Sequence, residues 1–255
     1  MTKIKSIYYH SPSPLQLERT LSWLQAKGYR FISCRTLLEC LSGECPMGRK
    51  WVVLTLDDAW RSNLQLLPVL ERHDVPVTIF APWEPVLTGN YWWEYVPRSE
   101  REAFKALDYE SFCEQLDRRK VELHLARSCM TADELRLLDR HPLVSIQSHT
   151  LTHPILTSLT DDRLKLELTA SKVNLENLLG HEVSVFSYPN GSYTCREVEA
   201  ARAIYRMAFT TDLHDITPHS DLCALPRIEV TGLYRRDKLK FYHIWPVLRK
   251  LCLLS

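Results

Sequence analysis

The sequence predicts an α/β protein, a distorted (β/α) barrel with about seven parallel strands. Short β-type runs alternate with helical patterns along the 255 residues, and repeated βα units are typical of a parallel sheet that can close into a barrel. The run at 50–58 is apolar almost throughout, as expected for a strand buried on both faces. Polar residues follow several of these runs, and the chemistry of such barrels lies at the carboxyl ends of the strands.

The predicted elements follow one another in a regular order. Helix 161–179 shows the pattern most clearly, with Leu164 and Leu168 on one face, acidic residues in its first turn and Gly180 at its end. The other helices are expected at 14–27, about 61–73 and near 195–206. Strands are expected at 4–10, 29–33, 50–58, 75–82, 142–149, 182–189, 206–211 and 224–230.

We expect one domain over 1–232, because this length suits a single large α/β core. A long insertion interrupts the alternation at about 83–140. A basic amphipathic tail follows at 233–255, combining six basic residues with an apolar stripe. Contact of this tail with an anionic membrane surface is one hypothesis. Packing against the barrel or against a partner subunit is the alternative.

Composition excludes some classes of function. The net charge is +1, so no strong basic field indicates nucleic-acid binding. Neither a secretory signal nor an apolar run of membrane-spanning length is seen. We therefore expect the cytoplasm, with the inner face of the membrane as the alternative location. The eight cysteines form no C-x-x-C pair, and we expect reduced thiols rather than a disulfide framework.

Two polar motifs indicate a site. In "SHTLTHPIL", His149 and His153 lie four residues apart, a spacing that a helical turn would place on one face. Alone, such a pair could equally cap or pack. Asp57 and Asp58 end the apolar strand at 50–58, although Asp58 could simply cap the helix that starts near residue 61.

Together these residues suggest metal chemistry. Asp58, His149 and His153 would provide one carboxylate and two imidazoles, and three protein ligands with an open fourth position are typical of catalytic zinc. Such an ion lowers the pKa of its water ligand towards 7. Asp57 would then accept a proton, and the field of the cation would keep it ionised.

The motif order "LTLDD", "SHTLTHPIL" and "FSYPNG" resembles the polysaccharide deacetylase family, also called the NodB-homology domain or carbohydrate esterase family 4. The segments "IYYHSPSP", "NYWWEYV" and "LPRIEV" extend the resemblance over roughly 4–232. They are similar to members from surface-polysaccharide loci.

The resemblance implies a barrel of the NodB-homology type and metal-dependent removal of an N-acetyl group from an amino sugar. It implies Asp57 as the catalytic base and Zn²⁺ as the first choice among divalent ions, with other ions left open. The implied metal ligands are Asp58, His149 and His153. The implied oxyanion and substrate loop comprises Tyr188, Pro189, Asn190 and Gly191.

Three departures from the family pattern lead to further hypotheses. Ala59 replaces a usual glycine, so the turn must avoid a left-handed conformation or bear strain. Ser187 occupies the place of an arginine that pairs with the base in many relatives. We therefore hypothesise that Arg227 orients Asp57, the alternative being a structural ion pair at the barrel rim. The C-terminal Leu-x-His motif is not visible. The resemblance to relatives with an N-terminal Tyr-His segment implies His10 as the general acid, and the pKa range of histidine suits this role; the alternative is a hydrogen-bonded core histidine.

Three tryptophans are candidates for sugar contact, because an indole face stacks well on a pyranose ring. Trp92 and Trp93 lie in the insertion and could line the cleft or pin the long loop to the body. Trp60 follows the aspartates and could form a wall of the site or part of the core.

The expected function is a metal-dependent N-deacetylase, a hydrolase of linear amides, that acts on a surface-polysaccharide or glycolipid precursor. The N-acetylated amino sugar could be free or linked to a nucleotide, a lipid or a polymer. Two alternatives stay open at this point. One is an amidohydrolase of the same fold that cleaves a non-sugar amide, and the other is a catalytically inactive carbohydrate-binding module.

Overall fold

A curved sheet of parallel strands forms the centre of the molecule. The computed structural model describes residues 3–230 and the backbone of two short strands, β9 (Tyr234–Arg235) and β10 (Lys238–Leu239), which pair antiparallel. The side chains of 231–255, on which the prediction of an amphipathic tail depends, lie outside the described residues. In the described part of the chain, no helix combines the length and the hydrophobicity that crossing a membrane requires.

The elements alternate as the sequence predicts. The strands are β1 (Ile4–Tyr9), β2 (Arg30–Ile32), β3 (Trp51–Leu56), β4 (Val77–Ala81), β5 (Val144–Ser148), β6 (Val185–Ser187), β7 (Met207–Phe209) and β8 (Ile228–Glu229). The helices are α1 (Pro14–Ala26), α2 (Cys34–Leu41), α3 (Leu67–His73), α4 (Trp83–Thr88), α5 (Arg101–Lys105), α6 (Tyr109–Glu122), α7 (Ala132–Asp139), α8 (Asp161–Leu179) and α9 (Cys195–Arg202). Helix α2 and the insertion helices α4–α7 were not predicted.

The sheet order is β7-β6-β5-β4-β3-β1-β8, and every pairing along it is parallel. Strand β2 pairs with the first half of β3. The sheet curls into a half-barrel with helices around it, which confirms the predicted fold class of about seven parallel strands.

Successive residues of β3 point to opposite faces of the sheet, as in any strand. Val52 and Leu54 pack into the larger core, between the sheet and the helices. Val53 packs into a second core inside the half-barrel with Phe80 and Phe209. The site residues therefore extend directly from two well-packed layers.

The cysteine expectation is wrong for one pair, because Cys40 and Cys45 form a disulfide. Helix α2 ends at Leu41, and the chain then turns back on itself, bringing the two Cα atoms to 4.6 Å. The sequence showed only a spacing of five residues, which does not reveal this turn. The other cysteines in the described residues are free: Cys34, Cys113, Cys129, Cys195 and Cys223.

Helix α8 offers a test of the core because two of its leucines differ in burial. Leu168 is fully buried, whereas Leu166 is 46% exposed. We expect Leu168→Ala to lower the free energy of unfolding by about 2–5 kcal/mol, since it leaves a cavity, and Leu166→Ala to change it by less than about 0.5 kcal/mol. Urea denaturation measures both. Equal losses would contradict the packing described.

Candidate active site

The turn after β3 is strained. Asp58 and Ala59 have φ of 72° and 55°, in the left-handed region that residues with a Cβ rarely adopt. Although Ala59 replaces the usual glycine, the turn keeps the left-handed conformation and therefore bears strain. The following 3₁₀ helix, Arg61–Leu66, has Trp60 at its N-cap, so the alternative that Asp58 caps this helix is wrong.

Contacts with the insertion keep the turn in this conformation. The Tyr91 hydroxyl donates to the Asp58 carbonyl oxygen at 2.7 Å. The Met130 N–H donates to the Ala59 carbonyl oxygen at 3.0 Å, and the Arg61 N–H donates to the Ser128 carbonyl oxygen at 2.7 Å. Three hydrogen bonds from one neighbouring segment thus offset the local strain.

The three predicted metal ligands come together. Asp58 Oδ1 lies 3.4 Å from His149 Nε2 and 3.3 Å from His153 Nε2, and all three side chains are buried. Ligands at about 2.0–2.2 Å from a tetrahedral ion are separated by roughly 3.3–3.6 Å. Asp58 Oδ1 is buried without a hydrogen-bond partner among the described residues. The cluster therefore fits a divalent metal ion.

Neighbouring groups orient two of these ligands. His149 Nδ1 lies 2.8 Å from the Ser187 carbonyl oxygen, which can only accept, so Nδ1 carries the proton and Nε2 has a free lone pair. The Trp60 indole donates to Asp58 Oδ2 at 3.0 Å, which leaves Oδ1 facing the imidazoles. Such outer contacts set the tautomer and direction of metal ligands.

The spacing of the two histidines suggested a helical turn, but they lie on a loop instead. His149 follows β5, and the chain then forms a tight loop in which Thr150 and His153 have φ of 72° and 59°. The loop directs both rings towards Asp58, and their centroids are 4.8 Å apart. The sequence spacing was informative, but the backbone that produces the contact is different.

Arg227 reaches Asp57, as hypothesised. Two guanidinium N–H groups donate to the two carboxylate oxygens at 2.7 and 2.9 Å. The other three N–H groups donate to Thr55 Oγ1, Ser187 Oγ and the Thr210 carbonyl oxygen, so all five donors of this fully buried side chain are used. Position 187, where the family pattern has an arginine, thus holds a serine whose hydroxyl accepts a hydrogen bond from Arg227.

The neighbouring arginine and histidines determine the charge of both aspartates. Burial acts against ionisation of Asp57, but the Arg227 guanidinium outweighs it and holds the pKa of Asp57 below its usual value. Burial also acts against Asp58, where His149 and His153 outweigh it and hold the pKa well below its usual value. Both carboxyl groups are therefore ionised at neutral pH.

His10 faces the same cleft and has a carboxylate partner that the sequence reasoning missed. Its Nδ1 lies 3.5 Å from Glu229 Oε1. The His10 side chain is 44% exposed. Partial desolvation in the cleft lowers its pKa, but the Glu229 contact and the two aspartates outweigh this effect and raise the pKa to about 9. Glu229 lies on β8 beside Tyr8 of β1, a pairing that no local sequence signal shows.

The Tyr188–Gly191 loop forms a tight turn at the cleft. Asn190 and Gly191 have φ of 57° and 65°, and a Cβ at Gly191 would lie 2.0 Å from Thr211 Oγ1. The N–H groups of Gly191 and Ser192 donate within the turn, whereas that of Asn190 has no acceptor among residues 3–230. Tyr188 is buried, and its hydroxyl donates to the Cys223 carbonyl oxygen.

The tryptophans have different positions. Trp60 and Trp93 line the cleft, and Trp93 stacks on Tyr91 with ring centroids 4.6 Å apart. Trp92 is buried and is not among the residues that line the cleft, which favours the alternative that it pins the long loop to the body. Its ring packs on Phe104, and its indole donates to the His153 carbonyl oxygen at 3.2 Å. Trp92 anchors the insertion to the body.

The cleft itself has a volume of about 340 Å³, within the usual range for small-ligand sites. It is open on one side, and one wall is aromatic. Its lining residues are Tyr8, His10, Asp57, Asp58, Trp60, Trp93, His149, His153, Tyr188, Asn190, Gly191 and Thr211.

The paired aspartates follow β3 and the first of the two histidines follows β5, so the site lies at the carboxyl end of the parallel sheet. Residues 45–207, more than half of the chain, match the family model described as polysaccharide deacetylase. The chain belongs to the polysaccharide deacetylase family.

Two relatives illustrate the similarity. The chain is 24% identical over 239 residues to YxkH of Bacillus subtilis (strain 168), a candidate polysaccharide deacetylase, covering 90% of this chain and 72% of that protein. It is 24% identical over 234 residues to the poly-β-1,6-N-acetyl-D-glucosamine N-deacetylase of Escherichia coli (strain K12). That match covers 85% of this chain but only 33% of the longer enzyme.

Solved structures share the fold. The deacetylase PplD of Streptococcus pyogenes, in complex with acetate, superposes with a TM-score of 0.69 at 21% identity, covering 90% of this chain and 92% of that one. IcaB from Ammonifex degensii has a TM-score of 0.67 at 19% identity, covering 91% of this chain and 93% of that one.

The Arg227–Asp57 pair can be tested by a double-mutant cycle. We expect Arg227→Met to cost about 3–5 kcal/mol of unfolding free energy, because it leaves Asp57 buried without its counter-charge. Adding Asp57→Asn should recover part of that loss, since the stranded charge is then removed. Denaturant unfolding of all four proteins measures the coupling. Strictly additive losses would mean that the pair has no energetic significance.

The His10–Glu229 contact predicts a titration. In metal-free protein, the His10 ring should titrate at about pH 9, and Glu229→Gln should lower that midpoint by about one unit or more. Because the folded pKa is raised, the pair stabilises the fold at low pH and loses this contribution as pH rises through about 9. NMR titration measures the midpoint. The titration midpoint of His181, which is paired with Asp139, should be the same in wild type and in Glu229→Gln. An unchanged His10 midpoint would exclude the coupling.

Proposed function

We propose that this protein is a metal-dependent N-deacetylase that hydrolyses the N-acetyl group of an amino sugar. The strongest support is the buried Asp58–His149–His153 cluster beside an ionised Asp57 in an open cleft. A sugar-binding module would have no need for this combination. The activity named for the E. coli relative agrees with the proposal.

Each residue of the cleft has a chemical task in this reaction. A divalent ion held by Asp58, His149 and His153 would supply Lewis acidity for the acetamide carbonyl and the attacking water. Asp57, kept ionised by Arg227, accepts the proton of that water. The free N–H of Asn190 can donate to the oxygen that becomes negatively charged.

His10 completes the reaction. Its raised pKa keeps it protonated at neutral pH, so it can donate a proton to the amine nitrogen as the carbon–nitrogen bond breaks. The acetyl carbon gains the hydroxyl of water and leaves as acetate. The sugar keeps a free amine. Glu229, 3.5 Å from the ring, stabilises its protonated form before this step.

The substrate class follows from the walls of the cleft. Trp60 and Trp93 offer flat apolar faces suited to a pyranose ring. We propose an N-acetylated amino sugar in a surface polysaccharide or its glycolipid precursor. Zn²⁺ is the proposed ion, because two imidazoles and one carboxylate suit it well, and other divalent ions that favour imidazole are the alternatives.

The location and the membrane contact stay predictions. The sequence favours the cytoplasm, whereas a disulfide such as Cys40–Cys45 is more typical of oxidising compartments. Cell fractionation combined with thiol labelling of that pair distinguishes the two. Nucleic acid is not a proposed partner, because the net charge of +1 gives no basic field.

Acetate release tests the function. Purified protein should release acetate from β-1,6- and β-1,4-linked N-acetylglucosamine oligomers, lose this activity with a chelator and regain it with Zn²⁺. We expect Asp57→Asn to retain the metal but to lose about 10²–10⁴-fold in turnover, the usual share of a general base. His149→Ala should lose the metal as well.

Asp162→Asn, an exposed change at the start of α8, serves as the control and should keep full activity. Release of acetate from simple acetamides but not from the oligomers would favour a non-sugar amidohydrolase. Binding of the oligomers without any release, in metal-loaded protein, would indicate an inactive carbohydrate-binding module. Either outcome contradicts the proposal.

A further inference from the structure

The loop that carries the candidate metal-ligating histidines, residues 149–153, uses its backbone groups almost completely. The Thr150 and Leu151 carbonyl oxygens accept from the Trp83 and Glu84 N–H groups at the start of α4, at 3.1 and 2.7 Å. The His153 N–H donates to Thr150 Oγ1 at 3.0 Å. The His149 N–H donates to the Ala81 carbonyl oxygen of β4, and the N–H groups of Leu151 and Thr152 point the opposite way, towards α8.

Glu167 on α8 accepts from the donors of both Leu151 and Thr152. Its Oε2 accepts from the Leu151 and Thr152 N–H groups at 3.0 and 2.9 Å, and its Oε1 accepts from the Thr152 hydroxyl at 2.9 Å. Arg163 pairs with Oε1 at 2.7 Å. Four donors therefore surround one carboxylate that has no exposure to solvent.

Burying a carboxylate to accept from two backbone N–H groups is energetically unfavourable. Removing a charge from water is unfavourable even when the charge is paired, and a helix can pack on a sheet through apolar side chains alone. The short reach of a carboxylate, with its two oxygens at a fixed spacing, instead holds several donors in one geometry. Its position indicates a geometric role.

The geometry to be held is strained. Thr150 and His153 both have positive φ, and such residues persist only when their surroundings determine them. Without the contacts to Glu167, residues 151 and 152 could relax and move the His153 ring away from Asp58. The α4 contacts hold the carbonyl side of the loop, so Glu167 holds the opposite side.

We propose that Glu167 is a positioning residue that organises the histidine loop for metal binding. It touches neither Asp58 nor the two imidazoles and acts through Leu151 and Thr152 alone. The inference rests on the proposed function, because it assumes that the Asp58–His149–His153 cluster binds a divalent ion.

The chain contains a matched control. Glu197 on α9 is also buried, at 1% exposure, and it accepts from the Thr194 N–H and hydroxyl at 2.7 and 2.6 Å. It also pairs with Arg196. Glu197→Gln therefore removes an equivalent arginine-paired carboxylate from a loop that carries no candidate ligand.

The experiment compares Zn²⁺ affinity in wild type, Glu167→Gln and Glu197→Gln, by competition with a chromophoric chelator. We expect both variants to lose comparable thermal stability in the metal-free state. Only Glu167→Gln should bind Zn²⁺ more weakly, by about 10–100-fold, the usual effect of outer contacts on metal affinity. The Co²⁺-substituted variant should also show an altered visible spectrum, because the ligand geometry changes.

Turnover separates positioning from chemistry. At saturating Zn²⁺, Glu167→Gln should regain most of kcat with an unchanged KM for the sugar oligomer. If Glu167→Gln fails to fold, Thr152→Val tests the proposal in its place, because it removes only the hydrogen bond from the Thr152 hydroxyl to Glu167. It should weaken Zn²⁺ binding by about threefold to tenfold.

Two results would overturn the inference, and they differ. If wild type binds Zn²⁺ and the Glu167 variants bind it as tightly as Glu197→Gln does, Glu167 has only a structural role and the proposed function stands. If wild type binds neither Zn²⁺ nor Co²⁺, the proposed function fails and the inference fails with it.

Discussion

The buried ion pair between Arg227 and Asp57 is the interaction on which the site depends. It joins side chains 170 positions apart in sequence, one following β3 in the middle of the sheet and the other at the start of β8 at its edge. Because all five guanidinium donors are used, the arginine also ties Thr55, Ser187 and the Thr210 backbone into the same interior. The sheet must curl for these partners to meet, so the fold and the charge state of Asp57 are established together.

Strain is concentrated beside the candidate metal site. Asp58, Thr150 and His153 all have left-handed backbone conformations, and each belongs to a short segment that rigid elements hold from outside. The insertion holds the aspartate turn through Tyr91 and the histidine loop through the first turn of α4. The positions of the three candidate ligands are therefore set by contacts within the protein itself.

Much of the fold was predictable because alternating apolar runs and helical patterns are local signals. The eight strands of residues 3–230 and the long helix α8 agree with them. Helix α2, which is eight residues long, was not predicted. The pairing of Cys40 with Cys45 was missed because a turn, and not a motif, brings them together. Trp92 and Trp93 were indistinguishable in sequence, since burial depends on the direction of each side chain.

The sequence by itself determined the order of the βα units and the identity of the candidate site residues, because local patterns indicate the former and short motifs the latter. Only the tertiary structure decided that Glu229 accompanies His10 and which donors surround Glu167, whereas the Arg227–Asp57 pair was hypothesised from the family pattern and took its geometry from the structure. The partners of His10 and Arg227, and the donors that surround Glu167, come from strands and loops far apart in the chain. Such contacts depend on how the sheet curls and where each loop ends, and residues distant in sequence show no local sign of meeting.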